Sequence, residues 1–206
     1  MRLSSTSFND GDWIPARFAF ARHHPESRVT LSENANPQLA WEGIPEATKS
    51  FAVICHDYDA PSVGDDVNQP DREVPATLPR ADFFHWVLVD LPADKTSIEE
   101  GEYADGVVAG GQDRETHIGR HGLNDYTNWF AGDPDMAGKY YGYDGCAPPW
   151  NDSIAHHYVF TVYALDVETV DVSGDFTGHD VRAAMEGHVL AEASIEGTYT
   201  QNPRLL

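Results

Sequence analysis

Three short runs of aromatic and β-branched residues constrain the fold of this chain more than any other feature. They are Phe51-Ala52-Val53-Ile54-Cys55, Phe83-Phe84-His85-Trp86-Val87-Leu88-Val89-Asp90-Leu91, and His156-His157-Tyr158-Val159-Phe160-Thr161-Val162-Tyr163-Ala164-Leu165. Each has the length and the residue types of a buried strand. The stretches between them are long and carry most of the 13 prolines and 17 glycines, which punctuate turns. The expected class is therefore mainly β, with long loops.

The remainder fits that frame. Residues 1–48 are turn-rich, with Asn9-Asp10-Gly11-Asp12, His24-Pro25, Asn36-Pro37 and Gly43-Ile44-Pro45 as punctuation. The first run is expected to end in a polar turn, His56 to Pro61, and an acidic loop of about 20 residues follows; loops of that length in a compact domain tend to be functional. Residues 92–155 read as irregular. Thr177-Gly178-His179-Asp180 matches a capping box, and Val181, Ala184, Met185 and Val189 then recur at helical spacing, so a C-terminal helix is expected. A last strand is expected over Ser194–Thr200. Hydrophobic residues are 41% of 206, enough for a core, and no linker divides the chain, so residues 1–206 read as one domain.

Charge narrows the partners. Thirteen basic against 34 acidic residues give a net charge of −21. Nucleic acid and anionic membrane surfaces are disfavoured, because both require neutralising phosphates with Lys and Arg. Only Lys49, Lys95 and Lys139 are lysines, and the acids are scattered rather than gathered in a tail, so adaptation to high salt is favoured over plain surface acidity. No stretch approaches the roughly 20 apolar residues of a transmembrane helix. Met1-Arg2-Leu3-Ser4-Ser5 lacks an apolar signal core, so a cytoplasmic protein is expected. There Cys55 and Cys146 should be free thiols.

Polar groups that interrupt or end the apolar strands are the candidates for chemistry. Asp57 and Asp59 follow the first run, His85 lies inside the second, and His156-His157 opens the third after Cys146-Ala147-Pro148-Pro149. Each has a plain structural reading: a core histidine bonded to backbone, an aspartate satisfying its own turn, a proline stiffening a loop. Together they are three segments able to converge on one pocket with a carboxylate and imidazoles. Nucleotide-binding loops and a Gly-x-Ser-x-Gly elbow are missing, and Cys55 lies in a buried strand. Asp57, His85 and His156 could bind a transition metal, but no local ligand spacing supports one, and no cofactor is called for. His23, His24, His117, His121 and His188 are expected in surface or structural roles, with His188 on the C-terminal helix.

At these residues the chain resembles the phosphatidylethanolamine-binding protein family, in its bacterial and archaeal, Raf kinase inhibitor-like branch. The resemblance runs nearly end to end, through Asn9-Asp10-Gly11-Asp12-Trp13-Ile14-Pro15, Asn36-Pro37-Gln38-Leu39-Ala40-Trp41, Asp57-Tyr58-Asp59-Ala60-Pro61, His85-Trp86-Val87, Gly142 to Pro149, and His156-His157-Tyr158. It implies an antiparallel β-sandwich with a helix near the C-terminus. It also implies a pocket for phosphate-like anions and phospholipid head groups, lined by Asp57, Asp59, His85 and His156, with Tyr158 and Pro148 beside them. Two positions depart from the family pattern. Tyr58 replaces a proline, which suggests a looser turn or a bulkier mouth. His157 replaces an arginine, which suggests a weaker, pH-dependent contact to Asp59 or to an anion. The segments Val63 to Arg80 and Gly106 to Met136 look long for the family and could cover the pocket or join two copies of the chain.

The leading expectation is a non-enzymatic binding protein for a small phosphate-bearing ligand. An inhibitor of a kinase or protease through a surface contact is the second reading. A weak phosphoester or ester hydrolase is the third, disfavoured because no nucleophile with an adjacent base is evident.

Overall fold

A computed structural model describes residues 1–206. The strands are β1 (Arg2–Ser4), β2 (Ala21–His24), β3 (Arg28–Leu31), β4 (Leu39–Glu42), β5 (Ser50–Pro61), β6 (Arg80–Pro92), β7 (Ser97–Ile98), β8 (Arg120–His121), β9 (His156–Leu165) and β10 (Val189–Tyr199). The helices are α1 (Tyr126–Trp129) and α2 (Gly178–Ala184). A five-stranded antiparallel sheet runs β10-β9-β5-β6-β8, a three-stranded one runs β1-β4-β7, and β2-β3 is a separate hairpin. No helix is long and apolar enough to cross a membrane.

The three apolar runs are the three central strands of the large sheet, and both faces of that sheet are buried. Alternation along β5 divides the core. Phe51, Val53 and Cys55 pack with Leu39, Trp41 and Ile98 of the small sheet, making the sandwich. Ala52 and Ile54 pack on the other side with Val181 of α2 and with Met185, Phe176 and Val170. The capping box at Thr177 and Asp180 is formed, and it starts α2.

Irregularities in β5–β6 pairing place the polar groups. Cys55 pairs with Trp86 but His56 pairs with Phe84, so His85 is an extra, bulged residue. Phe84 and Val87 both face α2, which leaves His85 and Trp86 together on the opposite side. A second irregularity lies between the Asp57–Phe83 and Ala60–Ala81 pairs.

Three local expectations are corrected. His56 to Pro61 is not a turn, because β5 continues to Pro61 by absorbing the second bulge. The C-terminal helix stops at Ala184; Gly187, at φ +83°, reverses the chain and Val189 opens β10, which is longer than the strand expected at Ser194–Thr200. His188 therefore lies in that connection, paired with Asp166, and not on the helix. His121, expected in a surface or structural role, is buried in β8, and burial pushes its pKa down to about 4.

Candidate functional site

Register explains why the polar groups meet. Asp57 pairs with Phe83 on one side and with Tyr158 on the other, so these side chains share one face of the sheet. His85 joins them through its bulge, and His156 lies two residues before Tyr158 on the same face. They form the floor of a cavity of about 360 Å³. Pro148 and Gln201 close one side, and Gln201 Nε2 donates to the Pro148 carbonyl at 2.8 Å. The walls are largely apolar. The β2-β3 hairpin gives Leu31, the segment around α1 gives Trp129 and Phe130, and the loop after β5 gives Val63 and Val67. Leu31, Val63 and Trp129 remain exposed at the rim. Both long segments read from the sequence as candidate covers thus contribute to the cavity.

Asp57, His85, Pro148, His156 and Tyr158 all line it, and Asp59 does not. The Asp59 carboxylate turns away to accept from the His157 backbone N–H at 2.9 Å and pairs with His157 Nδ1 at 2.7 Å, while its own N–H donates to Asp57 Oδ1 at 2.7 Å. The two departures from the family pattern meet each other. The Tyr58 and His157 rings stack at 5.4 Å with 5° between planes, and the Tyr58 hydroxyl reaches Glu196 at 3.1 Å. Neither lines the cavity, so Tyr58 adds no bulk to its mouth.

His156 is held on both sides. Nδ1 lies 2.6 Å from Asp57 Oδ2, and Nε2 lies 3.0 Å from Asp152 Oδ2. Both contacts require a donor on the ring, hence an imidazolium. Burial alone would depress its pKa, but the attraction of Asp57 and the hydrogen bonds to Asp152 and Asp57 outweigh it and lift the pKa to about 9. Asp152 in turn receives both terminal nitrogens of Arg80, at 2.6 and 3.0 Å. Despite burial, His156 and Arg80 hold its carboxyl below the usual range. Arg80, Asp152, His156 and Asp57 thus form a chain of alternating sign behind the cavity floor.

His85 is the opposite case. Burial drives its pKa down to about 4, against weaker opposing effects of Asp57 and of the Asp144 and Gly145 carbonyls. Nδ1 lies 2.8 Å from the Asp144 carbonyl, which assigns the proton to Nδ1 and leaves Nε2 as an acceptor. Phe83, Tyr126 and Tyr158 pack around the ring at centroid distances of 4.9 to 5.5 Å. At neutral pH His85 therefore offers a lone pair to the cavity and no hydrogen-bond donor. The buried Tyr158 hydroxyl and Gln201 Oε1 have no protein partner. Both atoms are covered from solvent, so apart from the paired ions the floor presents the His85 Nε2 acceptor.

Asp152, Arg80 and Gln201 gave no local signal in the sequence. Their partners lie as far as 72 residues away.

A two-layer antiparallel sandwich that closes an apolar-walled cavity over a carboxylate–imidazole floor is the architecture this chain defines. The phosphatidylethanolamine-binding protein family model matches residues 4–200, and the chain belongs to that family. The UPF0098 protein YbhB of Escherichia coli K12 is 32% identical over 203 residues, covering 97% of this chain and all of that protein. A UPF0098 protein of Methanothermobacter thermautotrophicus is 33% identical, covering 97% of this chain and 98% of its own length. The crystal structure of E. coli YbcL, described as a new member of the mammalian PEBP family, superposes with a TM-score of 0.68 at 26% identity over 97% of each chain.

Proposed function

We propose that this chain is a non-catalytic binding protein for a small ligand that joins a proton-carrying acidic head, such as a phosphate monoester, to a compact apolar group. The observation that carries the reading is the His85 Nε2 acceptor on the floor of a cavity with apolar walls. A monoprotonated phosphate donates its O–H to Nε2. Binding rather than turnover is favoured because both His156 nitrogens are committed to carboxylates and burial raises both thiols well above their ordinary values. The two buried free thiols also favour a cytoplasmic setting.

The test is calorimetry with phenyl phosphate. The second ionisation of a phosphate monoester lies near pH 6, so affinity should fall roughly tenfold to a hundredfold from pH 6 to pH 8. At pH 8 each ligand bound should take up close to one proton, read from the buffer dependence of the binding enthalpy. His85→Ala should weaken binding about tenfold at pH 6, the worth of one charge-assisted hydrogen bond. Equal affinity at both pH values and in the variant would show that the head group sits elsewhere.

A further inference from the structure

We infer that the dipeptide Asn151-Asp152, which does not line the cavity, divides its ligand recognition: Asn151 sets the selection for the apolar group by holding the roof, and Asp152 sets the affinity for the acidic head by holding His156 against Asp57. The inference rests on the proposed head-and-tail ligand.

The roof is the loop between β5 and β6, which brings Val63 and Val67 over the cavity. Asn151 is buried at the centre of that loop's hydrogen bonds. Its Nδ2 faces the carbonyls of Asp66, Gln69 and Arg72 at 2.8, 3.2 and 3.0 Å, and its Oδ1 accepts from the Asn68 N–H at 2.9 Å. Its own carbonyl accepts from the Val74 N–H at 3.1 Å. Three carbonyls share two N–H hydrogens, so one side chain closes the loop on itself. Asn68 holds φ at +58°, a strained conformation for a residue with a side chain, and it also accepts from the Trp150 N–H.

The next residue reaches the floor. Asp152 takes Arg80 with both oxygens and His156 with one, and Arg80 also donates to the carbonyls of Asp59 and Pro75 at 2.8 and 3.0 Å. The turn is anchored from behind by Asn202, whose Nδ2 donates to the Asp152 carbonyl at 2.7 Å. Roof and floor therefore meet at two adjacent residues. Neither touches the cavity, so both are positioning residues with separable effects.

The experiment compares phenyl phosphate with inorganic phosphate, which has the head and no apolar group. Asn151→Ala should speed hydrogen exchange across residues 62–79 and weaken phenyl phosphate about tenfold while leaving inorganic phosphate nearly unchanged. Asn151→Ser is the milder variant should the alanine chain fail to fold. Asp152→Asn should leave the ratio of the two affinities intact and weaken both at pH 8, with recovery at pH 6. Its direct signature is the ring ¹⁵N spectrum of His156 at pH 7.5, which should move from doubly to singly protonated. Unchanged loop exchange in the Asn151 variants, or an unchanged His156 spectrum in Asp152→Asn, overturns the corresponding half. Loss of both ligands in equal measure on Asn151→Ala overturns the division of labour. Failure of either phosphate to bind the wild type overturns the ligand reading and the specificity claim, while the exchange and ring spectra still decide the positioning.

Discussion

A single proton on His156 links stability to pH. Its pKa is raised to about 9 in the folded chain, against about 6.5 unfolded. A raised folded value means that the stabilisation is fully present below the unfolded pKa and is lost as pH rises through the folded one. Unfolding in urea should therefore show stability declining between pH 7 and pH 10, by on the order of 3 kcal/mol for this group. Asp144 acts at lower pH. Burial raises its carboxyl to about 7 although Asn34 and Asn124 both donate to it, so its contribution is lost as pH climbs from about 4 through 7. His156→Asn should flatten the upper limb and leave the lower one; an upper limb unchanged in the variant would assign the decline to other groups. At this scale the sequence was legible where a polar residue stood against an apolar strand. Asp57, His85 and His156 stood out because they interrupted or ended apolar strands, whereas Tyr158 and Pro148 were implied as pocket residues by the family resemblance. Asp152, Arg80 and Gln201 were not legible, because nothing in a loop aspartate or a strand-opening arginine announces a partner so distant in the chain. Asp59 was misplaced for a related reason: a bulge next to it turned its side chain the other way, and bulges leave no pattern.

The elements were legible in proportion to their burial. β9 was expected over His156–Leu165 and is found there, since it is buried on both sides by its neighbours in the sheet. β5 was cut short at Cys55 because its later residues are polar, and pairing to β9 as far as Asp57 and to β6 as far as Pro61 keeps them extended. The helix was overextended because Val189, at helical spacing, serves a strand instead. α2 has seven residues, too few to be stable alone, so it depends on its cap and on its contact with β6. That contact is close at Gly178, where an added Cβ would overlap the buried Phe84 ring. Alanine at an ordinary helical position gains up to about 1 kcal/mol over glycine. Here Gly178→Ala should instead lose about 1–3 kcal/mol, the usual cost of overpacking a core. Thr177→Ala should cost about 1 kcal/mol through the cap alone. Chemical denaturation distinguishes them, and a stabilised Gly178→Ala protein would mean that α2 moves freely on the sheet.

The molecule as a whole carries a net charge of −21, and its few cations are largely spoken for. Arg80 and Arg120 are tied to buried or half-buried aspartates, while Arg2, Arg17, Arg72, Lys139 and Arg204 pair with acids at the surface. Most of the 34 acids have no basic partner, so their mutual repulsion acts on the folded chain more than on the expanded one. Added salt has two opposing effects. It screens the surface pairs, worth about 0–1 kcal/mol each, and it shortens the reach of the repulsion from about 10 Å at 0.1 M to about 3 Å at 1 M. With so large an excess of one sign, the second effect should win. The melting temperature should therefore rise between 0.1 and 1 M potassium chloride, a salt that limits the separate stabilising influence of sulfate or phosphate. The rise should be smaller for a variant in which several exposed, unpaired acids are changed to glutamine or asparagine, because less repulsion is left to screen. The chain of charges at Arg80, Asp152, His156 and Asp57 is buried and close in space, so its worth should hold across the same range. Hence Asp152→Asn should lower the melting temperature by a similar amount at both salt concentrations. A melting temperature that stays flat for the wild type would remove the case for adaptation to high salt and leave the acidity as a matter of solubility.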